Sequence, residues 1–267
     1  METPAAENKG KWIFRNRIIQ KWHLAVLIIA LVLVITGIIL ALRPEVKTAE
    51  WYAQQGYELA SQSNYDEAIE EYTESIRLKP DYTDAYFGRG QAYLSKRQYD
   101  LAITDLSKAI QLDPSLATAY NGRAYAYLKK EQYSLAIADC TKAIELDANL
   151  ATAYYTRGTT YLDIDEYQLA IEDFGEVIRL NPEYVSAYGN RGISYLNLSL
   201  YDLAVADFDK ALELDPDMAV PYYYRGLTYR EQGRTAEAIA DLGKFISLTD
   251  DPEWIQLARN AIEELSQ

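Results

Sequence analysis

The stretch AYYTRGTTYLDIDEYQLAIEDFGEVIRLNP, residues 153–182, contains two short amphipathic segments separated by a polar break at Asp163 to Glu166. Tyr154, Gly158, Tyr161 and Leu162 fall at helical spacing in the first segment, and Leu169, Ala170, Phe174 and Ile178 do so in the second. Pro182 stops the second segment, because the residue before a proline is pushed out of the helical region. The stretch is one copy of several. Gly158 belongs to a column spaced 34 residues apart, with Gly56, Gly90, Gly192 and Gly226, and Ala124 fills the missing slot. A second column runs Ala68, Ala102, Ala136, Ala170, Ala204 and Ala238; a third runs Leu59, Tyr93, Tyr127, Tyr161, Tyr195 and Tyr229. Pro80, Pro114 and Pro216 repeat the stop at Pro182. A fixed period of this length marks a stack of identical helix pairs, in which small columns allow close approach and tyrosines fill the space beside them.

The pattern resembles the tetratricopeptide repeat (TPR), whose helix–turn–helix unit has the same length and the W-x2-L-G-x2-Y…A-x3-F…P pattern. The resemblance implies an all-α superhelical solenoid of six units over residues 49–252. Residues 253–267 follow as an amphipathic segment with Trp254, Leu257, Ala258, Ala261 and Ile262 on one stripe, the form expected of a capping helix. Two columns depart from the family pattern. Tyr52, Tyr86, Tyr120, Tyr154, Tyr188 and Tyr222 replace the tryptophan, and Arg89, Arg123, Arg157, Arg191 and Arg225 replace the leucine. Sixteen residues after each arginine stands Asp105, Asp139, Asp173, Asp207 or Asp241, and in the first unit both positions change together, to Gln55 and Glu71. The spacing predicts a ladder of ion pairs between facing helices, copied as a structural clamp into five units.

Composition narrows the function. The chain has 267 residues, 49% of them hydrophobic, and a net charge of −14. Residues 1–42 hold Lys9, Lys11, Arg15, Arg17 and Lys21 against Glu2 and Glu7, a balance of +3, so the rest carries −17. Such a surface does not seek nucleic acid, where affinity depends on Lys and Arg releasing phosphate counterions. With one cysteine, Cys140, and one histidine, His23, neither an internal disulfide nor a Cys/His metal cluster can form. Cys140 shares its column with Phe174 and Phe208 and reads as buried packing. Asp163, Asp165 and Glu166 lack the glycine and terminal glutamate of a calcium loop and read as a solvated turn. No nucleophile elbow or phosphate-binding glycine loop is present. The chain is therefore expected to be no enzyme and to hold no cofactor or metal.

Residues 24–42 form an uncharged apolar run flanked by Trp22 and Arg43. As a helix of about 28 Å, the run approaches the hydrocarbon thickness of a bilayer, so it is read as a single transmembrane helix. A cleaved signal peptide is the alternative, but no small-x-small cleavage site follows Leu42. The basic residues before the run predict a cytoplasmic segment 1–23, a linker at 43–48, and repeats on the outer side of a bacterial plasma membrane.

Binding belongs to the positions that differ between units. After the tyrosine column come Ala53-Gln54, Phe87-Gly88, Asn121-Gly122, Tyr155-Thr156, Gly189-Asn190 and Tyr223-Tyr224; after the glycine column come Tyr57, Gln91, Tyr125, Thr159, Ile193 and Leu227. In the family the first helices line a concave groove, so the resemblance implies partner contacts at Phe87, Asn121, Tyr125, Tyr155, Asn190, Tyr223 and Tyr224. Gly88, Gly122 and Gly189 are helix-weakening and either admit a ligand backbone or accommodate a neighbouring helix. Chaperone-binding relatives clamp a terminal carboxylate with lysine, asparagine and arginine, and no lysine occupies these positions here. An aromatic-lined groove for an extended peptide or a helix is expected instead. The reading is a membrane-anchored docking scaffold, similar to anchored TPR proteins that assist assembly or export of membrane and envelope complexes. The alternative is a structural protein that self-associates through solenoid ends or convex faces.

Overall fold

Every apolar stripe in the repeats is thirteen or fourteen residues long and is closed at both ends by turn chemistry, so the chain folds as a succession of short helices. The structure, a computed structural model, describes residues 20–36 and 47–266. The described residues fall into two units divided between Lys47 and Thr48. The first contains helix α1 (20–36). The second contains the repeats. Their first helices are α2 (Ala49–Ser61), α4 (Thr83–Ser95), α6 (Ala117–Lys129), α8 (Ala151–Asp163), α10 (Val185–Asn197) and α12 (Ala219–Glu231). Their second helices are α3 (Tyr65–Leu78), α5 (Tyr99–Leu112), α7 (Tyr133–Leu146), α9 (Tyr167–Leu180), α11 (Tyr201–Leu214) and α13 (Thr235–Leu248), and α14 (Pro252–Leu265) ends the series. No strand occurs among the described residues.

The membrane reading is corrected. Among the described residues, no helix is long and apolar enough to cross a membrane. The predicted span needed all of residues 24–42, of which α1 is described as far as residue 36. The described apolar part, 24–36, accounts for about 20 Å at ~1.5 Å per residue, against the ~30 Å of a hydrocarbon core. Residues 37–42, and most of the basic segment and the linker, lie outside the described residues. The single-pass localisation and its orientation fall with the span.

Within each repeat the first helix closes in a Schellman motif. Asp165 N–H donates to the Leu162 carbonyl at 3.2 Å, and Glu166 N–H reaches back to Tyr161 at 2.9 Å. The same pair of bonds recurs in all six turns, and the residue between them is left-handed each time: Ser63, Arg97, Glu131, Asp165, Ser199 and Gly233. Only the last is glycine, so side-chain size, not turn chemistry, hid this column from the sequence. At the other end of the unit, Asp113, Asp147, Asn181 and Asp215 each accept a hydrogen bond from the backbone N–H two residues on. These Asx turns lead the chain into the next repeat.

Packing explains the small columns. All six alanines of the second column are fully buried. A Cβ at Gly192 would stand 2.7 Å from the Phe208 ring, and one at Gly90 would stand 2.8 Å from Leu106. Gly56, Gly158 and Gly226 face Tyr72, Phe174 and Leu242 in the same way. The partner is always sixteen residues on. For Ala124 that partner position is Cys140, smaller than the leucine, tyrosine or phenylalanine elsewhere, so the one extra methyl and the one short side chain occur together. Cys140 is buried, and burial raises its thiol pKa, so it is packing and not a nucleophile.

The arginine and aspartate columns meet as predicted. Arg157 donates from Nε and Nη2 to the two Asp173 oxygens at 2.8 and 2.7 Å, and the other four pairs repeat the fork. The guanidinium lies between two tyrosines, with Tyr154 and Tyr161 centroids 5.7 and 6.0 Å from the Arg157 Cζ. The two departures from the family pattern thus meet in space: in five units the tyrosine in the tryptophan position walls the arginine in the leucine position. The remaining Nη1 reaches the second helix of the preceding repeat, at Thr73, Ser107, Thr141 and Asp209. Arg191 is the exception, because Gly175 stands in that position. A Cβ at Gly175 would meet only the Arg191 Nη1, at 3.9 Å. Gly175→Ser therefore restores the missing bond and removes a helix-interior glycine. It should stabilise the array by roughly 1–2 kcal/mol, measured by urea unfolding. An unchanged midpoint would show that the third arm contributes nothing.

Candidate functional site

Each first helix also touches the first helix of the next repeat, while no comparable packing joins successive second helices. The first helices therefore lie on the inner side of the curve, and their variable positions face a groove. Two adjoining cavities open along it. The first, 620 Å³, lies between α2 and α4 and is lined by Tyr57, Tyr72, Phe87, Gly88 and Gln91 among others. The second, 680 Å³, lies over α4, α6 and α8 and is lined by Gln91, Asn121, Tyr125, Lys129 and Tyr155 among others. Gln91 and Ser95 belong to both.

The seven sequence-predicted contacts divide into two groups. Phe87 lines the first cavity, and Asn121, Tyr125 and Tyr155 line the second. Asn190 stands beside them and donates from Nδ2 to the Tyr155 hydroxyl at 3.1 Å. Tyr155 is partly core: its ring lies 4.9 Å from Tyr184 and 5.8 Å from Phe174, and burial raises its phenol pKa. Tyr223 and Tyr224 lie elsewhere. The Tyr223 centroid is 5.0 Å from Trp254 and 5.1 Å from Phe245, and Tyr224 stacks on Phe208 at 6.4 Å. Tyr223 helps to seat α14 on the last repeat, and Tyr224 packs back on the fifth repeat. The clue in the sequence was Trp254, an aromatic that needed a partner on α12 or α13.

Asn121 is the polar centre of the second cavity. Its Nδ2 donates to the Thr152 hydroxyl at 3.2 Å, and its Oδ1 is buried without a hydrogen-bond partner. A buried amide oxygen left open is destabilising by about 1–3 kcal/mol, a cost that a ligand N–H removes. The glycines split between the two readings given to them. At Gly88 a Cβ would stand 2.4 Å from the Tyr72 ring, so that glycine accommodates a neighbour, whereas Gly189 has nothing within 4 Å. Tyr72 escaped the sequence reading, since it sits in the column of Leu106 and Phe174 and reads as core. Among the described residues no group of three or more His, Cys, Asp or Glu could hold a metal ion.

The tetratricopeptide repeat pattern matches residues 117–150, 151–184 and 185–218, and again 208–240. A TPR repeat match covers 56–96 and 90–131. The chain belongs to the tetratricopeptide repeat family. Among solved structures, YrrB, described as a TPR protein with an unusual peptide-binding site, is 26% identical, with a TM-score of 0.59. That match covers 71% of this chain and 97% of YrrB. MamA is 30% identical over 60% of this chain and 94% of its own, with a TM-score of 0.56. A tetratricopeptide repeat protein from Parabacteroides merdae, 18% identical with a TM-score of 0.61 over 87% of this chain and 90% of its own, shares the fold alone. Among curated proteins none matches the sequence significantly. TPR proteins of this kind bind protein or peptide partners and are in general scaffolds, not catalysts.

Proposed function

We propose that the chain is a non-catalytic docking scaffold whose groove, over α2, α4, α6 and α8, holds an extended segment of a protein partner. The observation that carries this is the open Asn121 oxygen in the tyrosine-walled second cavity, which adjoins a first cavity walled by tyrosine and Phe87. An extended peptide offers the backbone N–H that the oxygen lacks, and aromatic walls supply anchor energy. The likeness to YrrB, a peptide-binding TPR protein, supports the same reading. Placing a photo-crosslinking amino acid at Phe87 or Tyr125 in cells should trap a defined partner, while the same probe at Leu135 or Leu169 on the second helices should trap none. Adducts at the second helices alone would move the working surface out of the groove.

One observation favours self-association as the second reading. Leu101, Leu135, Leu169 and Leu203 form a column of exposed leucines along successive second helices, replaced by Glu67 and Glu237 in the end repeats. Concentration-dependent mass measurement separates the two: saturable self-assembly abolished by Leu135→Glu with Leu169→Glu supports association, and a persistent monomer removes it.

A further inference from the structure

The first cavity has a floor that no other repeat possesses. Tyr72 occupies the position held by Leu106, Cys140, Phe174, Phe208 and Leu242 in later repeats. Its ring reaches between helices because Gly56 and Gly88 leave room: a Cβ on Gly88 would stand 2.6 Å from its hydroxyl oxygen. The residue is 4% exposed, lines the cavity, and makes no side-chain hydrogen bond among the described residues. Burial pushes its pKa up to about 12, so the group is a neutral phenol able to accept or donate at neutral pH. The hydroxyl is open to the cavity, so a side chain that fills the cavity must give it a partner or leave it stranded.

The walls and rim indicate what that is. Tyr57, Tyr82 and Phe87 present rings to the cavity, and Glu50 and Asp84 are the charged residues in its lining. Glu50 is shared with Lys79 at 3.1 Å, while Asp84 has no basic partner among the described residues. Burial and then the charges of Asp84 and Glu50 raise the Tyr82 pKa, which places both acids close to that ring. The Lys79 ammonium already sits 4.5 Å from the Tyr82 centroid while bonded to Glu50. The rim thus shows a cation held between an aromatic face and a carboxylate. The second cavity has the opposite sign, with Arg97 and Lys129 in its lining and no carboxylate.

We propose that the first cavity takes the lysine or arginine side chain of an extended peptide, and that the same peptide carries an acidic side chain toward Arg97 and Lys129. The inference rests on the groove reading and adds the charge order of its ligand. Helix axes ~8–10 Å apart and ~3.3 Å per extended residue put the two charges about three to six residues apart. A basic group in the first cavity gains the Asp84 carboxylate, the Tyr57 and Phe87 faces and the Tyr72 hydroxyl together. An apolar side chain there would leave the hydroxyl and the carboxylate unmet.

The test is a random peptide library selected on the immobilised full chain. The enriched sequences should pair a lysine or arginine with an aspartate or glutamate at that spacing. A synthetic peptide of that consensus should bind Asp84→Asn at least about fivefold more weakly, the size of one exposed cation–aromatic and charge contact. Tyr72→Phe, which removes only the hydroxyl, should weaken it in the same direction. Lys129→Gln should weaken the peptide but leave an acid-free version unchanged. Enrichment of peptides lacking a basic residue, with binding that still depends on Phe87 and Tyr125, overturns the charge assignment and leaves the groove in place. Selection that yields nothing, or peptides indifferent to every groove substitution, removes the groove reading itself.

Discussion

Asp173→Ala lowers the stability of the repeat array by about 3–5 kcal/mol, among the largest effects expected of any single polar change in this protein. The side chains of Arg157 and Asp173 are 19% and 6% exposed. Removing the carboxylate leaves a guanidinium between Tyr154 and Tyr161 with only the Thr141 hydroxyl as partner. The intact pair contributes far less than its loss costs. Burial raises the Asp173 pKa even beside the arginine, while the bonds from Asp173 raise that of Arg157. At the carboxylate burial outweighs pairing and at the guanidinium pairing outweighs burial, so the bonds of the pair go largely to offset its own desolvation. Replacing both partners, Arg157→Met with Asp173→Ala, should therefore recover much of the loss. A double-mutant cycle by urea unfolding checks this, and coupling near zero would remove the clamp as a structural element.

Deleting residues 253–267 has an effect of similar or greater size. Helix α14 starts where Asp251 accepts from Glu253 and Trp254 N–H, with Pro252 in the first turn. It lays Ala258 and Ala261 against Leu242 and Phe245. Trp254 closes an aromatic cluster with Tyr223 and Phe245. Without the helix, Phe245 and Tyr223 face water; losing contacts of this kind costs about 3–5 kcal/mol in aromatic-to-alanine substitutions. Thermal unfolding of the truncated chain should begin several degrees earlier and end in aggregation. Unchanged melting and solubility would show that the last repeat needs no cover. The same cluster rules out Tyr223→Ala as a clean probe of binding, because the ring supports the fold.

The sequence carried the helices and their pairing because packing between identical units must repeat, and repetition is visible as columns. The clamp was legible for the same reason: Arg157 and Asp173 recur together and change together at Gln55 and Glu71. Contacts made once were not legible. Tyr72 reads as one more core residue until Gly88 is seen above it, and Tyr223 reads as a groove residue until Trp254 closes on it. The third arm of four of the arginines crosses to the preceding repeat, where Thr73, Ser107, Thr141 and Asp209 share polarity but no single residue type. The apolar run 24–42 shows its hydropathy in the sequence, but composition does not say which of its residues a helix holds, and the described helix reaches residue 36.

The break in the arginine ladder at Gly175 has a mechanical meaning. Lys96 with Asp66, Lys130 with Asp100, and Gln232 with Asp202 tie neighbouring repeats at their turns, but the fourth and fifth repeats have Gln168 and Leu198 in those positions. That junction therefore lacks both outer ties among the described residues, yet keeps the inner one from Asn190 to Tyr155. In a linear array each junction bears load on its own. If side-chain ties alone decide it, a chain pulled from its ends yields first here, parting on its outer edge and pivoting on the asparagine. The repeats that form the two cavities would separate as one block from those that carry the aromatic cluster.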